Sequence, residues 1–298
     1  MMHKPLLYLE HFSDNDLALL LAAAGVRVRD TAKVTALLRE EPEAVDRLLA
    51  HPDVFRWLFQ NPDELPYLQA TPFLTFSVLV HRAAQELENL TFVQEWTAPR
   101  KRLPVFAVDG MRRFLAHRDR RFYLADLLAS FTRVMSGTVT VRTARGPRRQ
   151  RFSELDPIGL TSLLRVVRDE ERVVIYRRLG DVALFLTGIF PDYAGRRALR
   201  PLDLERLAQG ARMTGPELLA LQQAVEPSDP FGTIRLYEEL GQRWYRLAAG
   251  APGPQASGVA ASLQDVADQF REGRRVLNFL ADRYLHRIRC QWFPEPAA

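Results

Sequence analysis

Apolar residues recur at helical spacing through most of the chain, and this pattern predicts a mainly helical protein. In residues 72–90, the side chains of Phe73, Phe76 and Val80 fall on one stripe, as in an amphipathic helix. Residues 13–49 contain three shorter helical patterns, each opened by a capping residue or a proline. The N-terminal part is therefore expected to be a set of short packed helices.

The second half of the chain follows the same helical period. Residues 182–190 are almost entirely apolar and are expected to form the central buried helix. Gly180 is expected to break the preceding helix, and Asp181 to cap the buried one. Residues 191–201 are typical of a linker. Residues 259–289 carry apolar residues at helical spacing and are expected to form a single long helix. This helix would close the domain or support a helix–helix interface.

The period changes in the middle of the chain, where two β-hairpins are expected. Residues 91–97 and 103–108 are rich in strand formers and flank the basic tip APRKR. Residues 138–143 and 148–152 flank the turn ARGP. The predicted fold is therefore mainly α: a multi-helical globular protein with one or two short β-hairpins inserted in the central region.

The second hairpin concentrates positive charge. If Thr143 pairs with Arg148, one face carries Val139, Val141 and Phe152, and these would lie on the core. The other face would carry three arginines, namely Arg142, Arg149 and Arg151. In this register Arg142 stands opposite Arg149, and like charges across a strand pair cost some tenths of a kcal/mol, about 0.2–1. Solvent, an acidic patch of the chain or an anionic ligand would have to offset that cost.

The pattern also predicts three successive segments. Residues 1–70 form an N-terminal helical unit, residues 71–200 a central helical core with the basic hairpins, and residues 201–298 a C-terminal helical unit. Prolines and short polar stretches mark the first boundary, and the linker pattern marks the second.

Charge is spread unevenly along the chain. Its 298 residues carry a formal net charge of +5, but residues 100–151 hold 14 Lys or Arg against three acids. That segment has a net charge of +11, and the rest of the chain −6. Arginines outnumber lysines 38 to 3, a bacterial-like bias that a GC-rich genome would produce. Codon bias explains arginine in place of lysine, whereas it does not explain the clustering.

Several classes of protein find no support in the sequence. A single cysteine, Cys290, excludes an internal disulfide framework and a Cys-based zinc site. The longest apolar run, residues 17–26, is too short to span a bilayer and follows acidic residues rather than a basic flank. We therefore expect a cytoplasmic protein with no membrane partner. Nucleotide-binding loops and metalloprotease motifs are missing from the sequence, so no cofactor or metal is expected.

Two places could carry an enzyme's acid–base chemistry. His81, Gln85 and Glu88 share one helix face, which could be a metal half-site or an acid–base pair. Asp181 could be a buried carboxylate poised for proton transfer. The favoured explanations are a polar flank of the helix for His81, Gln85 and Glu88, and a helix cap for Asp181. The sequence therefore assigns no catalytic residue and favours a protein that is not an enzyme.

The basic hairpins are the best functional candidates in the sequence. Three arginines on one strand face, with Arg145 and Arg148 at the tip, resemble a groove-inserting ribbon. The residues expected to bind nucleic acid are Arg142, Arg145, Arg148, Arg149, Arg151, Arg100, Lys101 and Arg102. Helix residues Arg112, Arg113, Arg120 and Arg121 would extend the surface to phosphates.

Three functions follow from these observations. The first is a non-enzymatic binding or regulatory protein whose arginine-rich centre engages an anionic partner, with nucleic acid as the first expectation and an acidic protein surface as the other. The second is a structural or adaptor protein that acts through helix-mediated contacts. The third is an enzyme with a helical pocket that uses His81, Glu88 or Asp181.

Overall fold

The chain forms sixteen α-helices and two small antiparallel sheets within the part that the computed structural model describes. That part comprises residues 7–60, 69–98, 101–143, 146–196, 199–224, 231–251 and 256–294. The mainly helical fold with short hairpins is therefore confirmed. None of the helices in these ranges is long and apolar enough to cross a membrane.

Two compact units make up the chain, and each contains two separate segments. Unit 1 consists of Met1–Thr91 and Val108–Thr132, and unit 2 of Phe92–Ala107 and Arg133–Ala298. The boundaries expected near residues 70 and 200 fall inside unit 1 and unit 2, respectively, and the three-segment division stays a prediction.

Unit 1 is entirely helical in its described residues. A 3-10 turn at Leu7–His11 precedes seven helices: α1 (Asp14–Ala23), α2 (Thr31–Glu40), α3 (Pro42–Leu49), α4 (Pro52–Phe59), α5 (Pro72–Asn89), α6 (Asp109–Ala116) and α7 (Arg118–Ser130). Helix α5 is the centre of the unit, since Phe76, Val80 and Leu87 are fully buried and the helix packs against α7. The predicted stripe of this helix is confirmed.

The buried carboxylate of Asp16 joins two helix starts in unit 1. It accepts hydrogen bonds from the backbone N–H and hydroxyl of Ser13, which caps α1. It also accepts from the backbone N–H and hydroxyl of Thr71, which caps α5. Because a buried charge is tolerated only when its hydrogen bonds are satisfied, Asp16 fixes the entry of both helices together.

Unit 2 combines two hairpins with nine helices. The strands are β1 (Val93–Ala98), β2 (Lys101–Val105), β3 (Ser136–Thr143) and β4 (Gly146–Ser153). The helices are α8 (Pro157–Leu163), α9 (Asp169–Ile189), α10 (Pro191–Arg196), α11 (Pro201–Gly210), α12 (Gly215–Ala224), α13 (Gly232–Ala249), α14 (Ala256–Asp268), α15 (Phe270–Leu280) and α16 (Arg289–Trp292). A π-helical turn, Ala281–Leu285, follows α15.

Helix α9 is the buried centre of unit 2, and it is continuous. All its residues from Leu179 to Ile189 are buried, which confirms the predicted core helix. The expected break at Gly180 is wrong, and so is the capping role of Asp181, because both lie inside the helix. A Cβ at Gly180 would lie 2.4 Å from the ring of Tyr245 on α13. The glycine therefore serves the close approach of α13 to α9 rather than helix termination.

The elements predicted for the C-terminal part of the chain are only partly confirmed. The expected linker at residues 191–201 contains α10, and the expected single helix at 259–289 is divided into α14, α15, the π-helical turn and α16. Its apolar stripe is buried: Leu263, Phe270, Leu277 and Leu280 are at most 2% exposed. The stripe therefore builds the core of unit 2, and the adaptor hypothesis stays a prediction.

Both predicted hairpins are present, with one change of register. Strand β1 pairs with β2, and β3 with β4, each as a two-stranded antiparallel sheet. Thr143 pairs with Gly146 rather than with Arg148, and Gly146 has the positive φ (+104°) that a tight turn requires. Arg142 therefore stands opposite Pro147, and the expected direct pairing of Arg142 with Arg149 is wrong.

Candidate functional site

The β3–β4 hairpin is anchored at its base. Glu154, directly after β4, accepts hydrogen bonds from the backbone N–H of Met135 at 3.1 Å and from Arg178 of α9 at 3.0 Å. The Phe152 ring lies against Gly137, where a Cβ would come within 3.0 Å of it. Helix α8 packs against β4. These contacts therefore fix the base of the hairpin to the rest of unit 2.

One row of this ladder carries the predicted arginine positions. Thr138 pairs with Arg151 and Thr140 with Arg149, and Thr138, Thr140 and Arg149 are exposed. Arg142 continues the same alternation on β3, because a shift of two residues in register leaves the strand faces unchanged. The side chains of Arg142, Arg148 and Arg151 and the whole of Arg145 lie outside the described residues.

In the β1–β2 hairpin, the one basic side chain that the structure describes is that of Arg102, and it contacts other residues of this protein. The Arg102 guanidinium lies over the ring of Trp96, its cross-strand partner, with 4.2 Å to the ring centroid. It also donates to Asp282 Oδ1 at 2.8 Å. Burial raises the pKa of the Asp282 carboxyl above its usual range, although Arg102 beside it acts in the opposite sense. Arg100 and the side chain of Lys101 lie outside the described residues.

A buried arginine holds the β1–β2 hairpin on α15. Arg275 is 6% exposed and donates to Glu95 Oε1 at 2.6 Å, to Glu272 Oε2 at 2.8 Å and to the carbonyl of Ala107 at 2.8 Å. Both carboxylates offset its charge, as a buried guanidinium requires. Glu95 therefore acts as an anchor of the hairpin.

Three of the helix arginines that were expected to extend the basic surface stabilise unit 1 instead. Arg112 donates to the carbonyls of Leu87 and Leu90 at the end of α5, at 2.9 and 2.7 Å. Arg120 is 8% exposed and lies over the Phe114 ring. Arg121 donates to the carbonyl of Leu115 at 2.7 Å. Arg113 is exposed.

Asp46 of α3 interacts with side chains from α5 and α7. Its Oδ2 accepts from Arg118 at 2.7 Å and from Arg121 at 3.0 Å, and its Oδ1 lies 3.2 Å from Nε2 of His81. Burial opposes ionisation of Asp46, but hydrogen bonds from His81 and Arg118 outweigh it and hold the pKa of this carboxyl below its usual range. Burial also lowers the pKa of Arg121. The cluster joins three helices of unit 1.

His81 belongs to this cluster rather than to a pair with Glu88. Its Nδ1 lies 2.8 Å from the carbonyl of Ser77 and donates to it. Its Nε2 accepts from Arg121 Nε at 3.2 Å in the neutral ring, or donates to Asp46 when protonated, since one nitrogen cannot do both. Glu88 is exposed, and Gln85 donates to the carbonyl of Ala50.

The other candidates for acid–base chemistry are also engaged in packing. Asp181 is 6% exposed and accepts from the Tyr245 hydroxyl at 2.8 Å. Arg177 lies 3.8 Å from its second oxygen. Across the described ranges, no three His, Cys, Asp or Glu side chains come together in a group that could hold a metal ion.

The basic segment is divided between the two units. Its residues 108–132 belong to unit 1 and hold five basic and three acidic residues, for a net charge of +2. Its residues 100–107 and 133–151 belong to unit 2 and hold nine basic residues and no acid, for a net charge of +9. Most of the excess charge therefore lies on the hairpin-bearing segments of unit 2.

A cavity that sequence reasoning missed lies between α8, α9 and α11 of unit 2. Its volume is about 220 Å3, and Arg165, Arg172, Arg206 and Arg212 line it together with Tyr176. No carboxylate belongs to this lining. The four arginines come from separate places in the chain, so no local motif joins them. We call it the arginine pocket.

Two of the pocket arginines have neutral partners, and the other two lie next to carboxylates that are not part of the lining. Arg165 donates to Gln209 Oε1 at 2.5 Å, and Arg212 Nε donates to the Tyr176 hydroxyl at 3.2 Å. Arg172 donates to the carbonyl of Leu164 at 3.0 Å and pairs with the exposed Asp169. Arg206 lies 3.6 Å from Asp203.

Arg212 has an unusual backbone conformation. Its φ is +53°, and it is the one non-glycine with a positive φ in the part of the chain described. It follows the last turn of α11, where its N–H donates to Gln209 O and the N–H of Met213 to Ala208 O. This is the Schellman arrangement, whose left-handed position is normally glycine because other residues cost about 1–2 kcal/mol there.

A second arginine fixes this turn. Arg243 of α13 donates to the carbonyls of Ala211 and Arg212 at 2.6 and 2.8 Å and to Glu217 Oε1 at 2.8 Å. The backbone N–H of Thr214, Arg243 and the Thr214 hydroxyl lower the pKa of Glu217 to about 2. Glu217 therefore stays ionised at neutral pH and orients Arg243.

No protein-family model matches the chain, no curated protein matches it, and no solved structure matches its fold. Function is therefore inferred from the chemistry of its own residues.

Proposed function

We propose that this protein binds an anionic partner, in the first place nucleic acid, through the arginine-rich β3–β4 hairpin of unit 2. The observation that carries the proposal is that Thr138, Thr140 and Arg149 are exposed on one row of the ladder, and strand alternation leads us to expect Arg142 and Arg151 on the same row. A two-stranded ribbon of this kind fits the major groove of a duplex, and its arginines suit phosphates and guanine edges.

Charge distribution supports the same surface. Residues 100–107 and 133–151 of unit 2 hold nine basic residues and no acid. Phosphate contacts of this kind supply affinity by releasing counterions, so they do not need a particular sequence. The anchoring of Glu154 by Arg178 gives the hairpin the fixed base that such binding requires.

Fluorescence anisotropy across a salt series tests this function. The probes are labelled duplex DNA, single-stranded DNA and RNA. Each phosphate neutralised on duplex DNA contributes about −0.9 to the slope of log K against log salt, so we expect a slope near −4 or steeper. The variant Arg142→Glu, Arg149→Glu and Arg151→Glu should abolish binding while its circular dichroism is unchanged.

A charge-matched control separates the site from the net charge. Arg27, Arg29 and Arg287 are exposed, so changing all three to glutamate alters the net charge equally but leaves the hairpin intact. We expect this control to retain most of the affinity. Equal loss in both triple variants, or no binding of the wild type at low salt, would remove the proposal. In the latter case an acidic protein surface becomes the partner to test.

A further inference from the structure

The arginine pocket combines positive charge with small size. Its volume of about 220 Å3 is below the roughly 300–1,000 Å3 typical of sites for drug-sized ligands. It has room for one compact group and a few ordered waters, since a water occupies about 30 Å3 in the liquid. A cavity of this size selects a small ion or the head group of a larger molecule.

The lining selects an anion. Four arginines line a cavity whose lining contains no carboxylate. Arg172 and Arg206 lie next to Asp169 and Asp203, outside the lining, whereas the partners described for Arg165 and Arg212 are neutral. A guanidinium has five N–H donors, and each of these two arginines uses one in the contacts described. The remaining donors are suited to oxygen atoms of an anion, because guanidinium groups bind oxyanions with paired, charge-assisted hydrogen bonds.

Tyr176 adds a neutral donor. It is 5% exposed, and its hydroxyl oxygen accepts the bond from Arg212 Nε. The hydroxyl proton is then available to donate to a group in the pocket. Tyr176 also positions Arg212, whose guanidinium lies 5.7 Å from the centre of the tyrosine ring.

The backbone at Arg212 is an independent observation. Glycine is the residue best suited to its left-handed conformation, yet the chain has arginine there, and Arg243 fixes the turn by donating to the carbonyls of Ala211 and Arg212. Folding alone would favour glycine at this position. Strained residues held by their surroundings occur preferentially at ligand sites, so the strain points to a use for this guanidinium.

From these observations we propose that the arginine pocket binds a phosphate group, either as free phosphate or as the head of a phosphomonoester. A tetrahedral dianion offers more acceptor oxygens than a carboxylate and so matches four arginines that converge from different elements. This site is separate from the hairpin and does not depend on nucleic-acid binding.

Isothermal titration calorimetry on the full chain tests the pocket. The probes are inorganic phosphate and ribose 5-phosphate, titrated at constant ionic strength with chloride. We expect one saturable site with a Kd below about 1 mM for at least one probe. Equal affinity for the two identifies free phosphate as the ligand, whereas at least tenfold tighter binding of ribose 5-phosphate identifies a phosphomonoester.

Three variants locate the site. Arg165→Gln and Arg212→Asn should each weaken binding at least tenfold, and asparagine tolerates the positive φ of position 212. Arg287→Gln removes an exposed arginine elsewhere in unit 2 and should leave the affinity unchanged. The triple glutamate variant of the hairpin should also retain phosphate binding, which separates this proposal from the proposed function.

Three results would overturn the proposal. The first is the absence of saturable heat with both probes up to 10 mM, a concentration of about ten times the expected limit. The second is unchanged affinity in both Arg165→Gln and Arg212→Asn. The third is loss of phosphate binding in the hairpin variant alone, which would move the phosphate site to β3–β4.

Discussion

Arg212 and Asp46 both interact with charged or polar groups, but they affect the stability of the protein in opposite ways. The backbone of Arg212 is strained, and its guanidinium contacts a cavity rather than a carboxylate. Asp46 is matched by Arg118 and Arg121 and ties three helices together. Substitution of Arg212 should therefore raise the free energy of unfolding, whereas substitution of Asp46 should lower it.

Replacing Arg212 by glycine is expected to stabilise the protein. The change removes a left-handed non-glycine residue, worth about 1–2 kcal/mol, and loses one part-buried hydrogen bond to Tyr176. We expect the free energy of unfolding to rise by about 0.5–1 kcal/mol in urea denaturation. Arg206→Gly, inside α11, is the matched control and should lower it by about 1 kcal/mol. A loss of stability in Arg212→Gly would contradict the strain argument.

Replacing Asp46 by asparagine is expected to destabilise unit 1 by about 2 kcal/mol, below the range for a fully buried pair because 18% of the side chain is exposed. Arg118 and Arg121 would lose their carboxylate partner. Because the folded-state pKa of Asp46 is lowered, its contribution is fully present above the ordinary value of 3.8 and is lost as pH falls through the folded-state pKa. Urea denaturation between pH 7 and pH 2 should show the difference between wild type and variant shrinking in that acidic range. A constant difference would contradict the assignment.

At the scale of elements, the joint between α9 and α13 depends on small residues. Gly180 of α9 admits the ring of Tyr245 of α13, and a Cβ at Gly241 of α13 would lie 3.0 Å from the Cβ of Ala183 of α9. The helices can approach closely because these positions have no side chain to hold them apart. Their packing forms the core of unit 2, with Leu184, Leu240 and Trp244 fully buried.

Gly180→Ala is expected to lower the stability of unit 2 by about 1–3 kcal/mol, because the new methyl group overlaps the Tyr245 ring. Gly215→Ala is the control, since a Cβ there meets nothing within 4 Å, and its effect should stay within about 0.5 kcal/mol. Thermal unfolding followed by circular dichroism measures both. If the two alanine variants were equally stable, close packing at Gly180 would not be the reason for the glycine.

Local patterns predicted most elements but not the contacts between them. The stripe at Phe76 and Val80, the apolar run of α9 and the strand formers of both hairpins reflect short-range periodicity, which the sequence displays directly. Gly180 was misjudged because a glycine that ends a helix and one that admits a neighbouring ring are alike in sequence. The hairpin register differed because Gly146, rather than Arg148, begins the returning strand.

The candidate sites differ in the same way. The hairpin arginines are neighbours in sequence, so charge clustering alone identified them. The arginine pocket joins Arg165 and Arg212, 47 positions apart, and only the packing of α11 on α8 brings them to one cavity. Likewise the ion pairs of Arg118 and Arg121 with Asp46 span 72 and 75 positions. The charge pattern of the sequence therefore did not show that these arginines pair with a carboxylate inside unit 1.

At the scale of the whole molecule, the chain divides into two compact units. Asp46 acts within unit 1, and Gly180 lies in the core of unit 2. Their partners do not overlap among the contacts described. Substitutions at the two positions should therefore act independently.

The double variant Asp46→Asn/Gly180→Ala is expected to lose the sum of the two single losses to within about 0.5 kcal/mol. Trp57 is the one tryptophan in unit 1, whereas Trp96, Trp244 and Trp292 belong to unit 2, so Trp57→Phe leaves fluorescence from unit 2 alone. Guanidinium unfolding of the single and double variants, followed by fluorescence and circular dichroism, measures the coupling. A coupling well above 0.5 kcal/mol would show that the units share a cooperative transition.

The anchoring of the β1–β2 hairpin by Arg275 affects how the chain folds during translation. Glu95 and Arg275 are 180 positions apart, and α6 and α7 of unit 1 are made between them. At roughly 5–20 residues per second, the ribosome needs about 9–36 s to supply Arg275 after Glu95. Unit 1 can thus be completely synthesised before Arg275, the residue that anchors the β1–β2 hairpin, has been made.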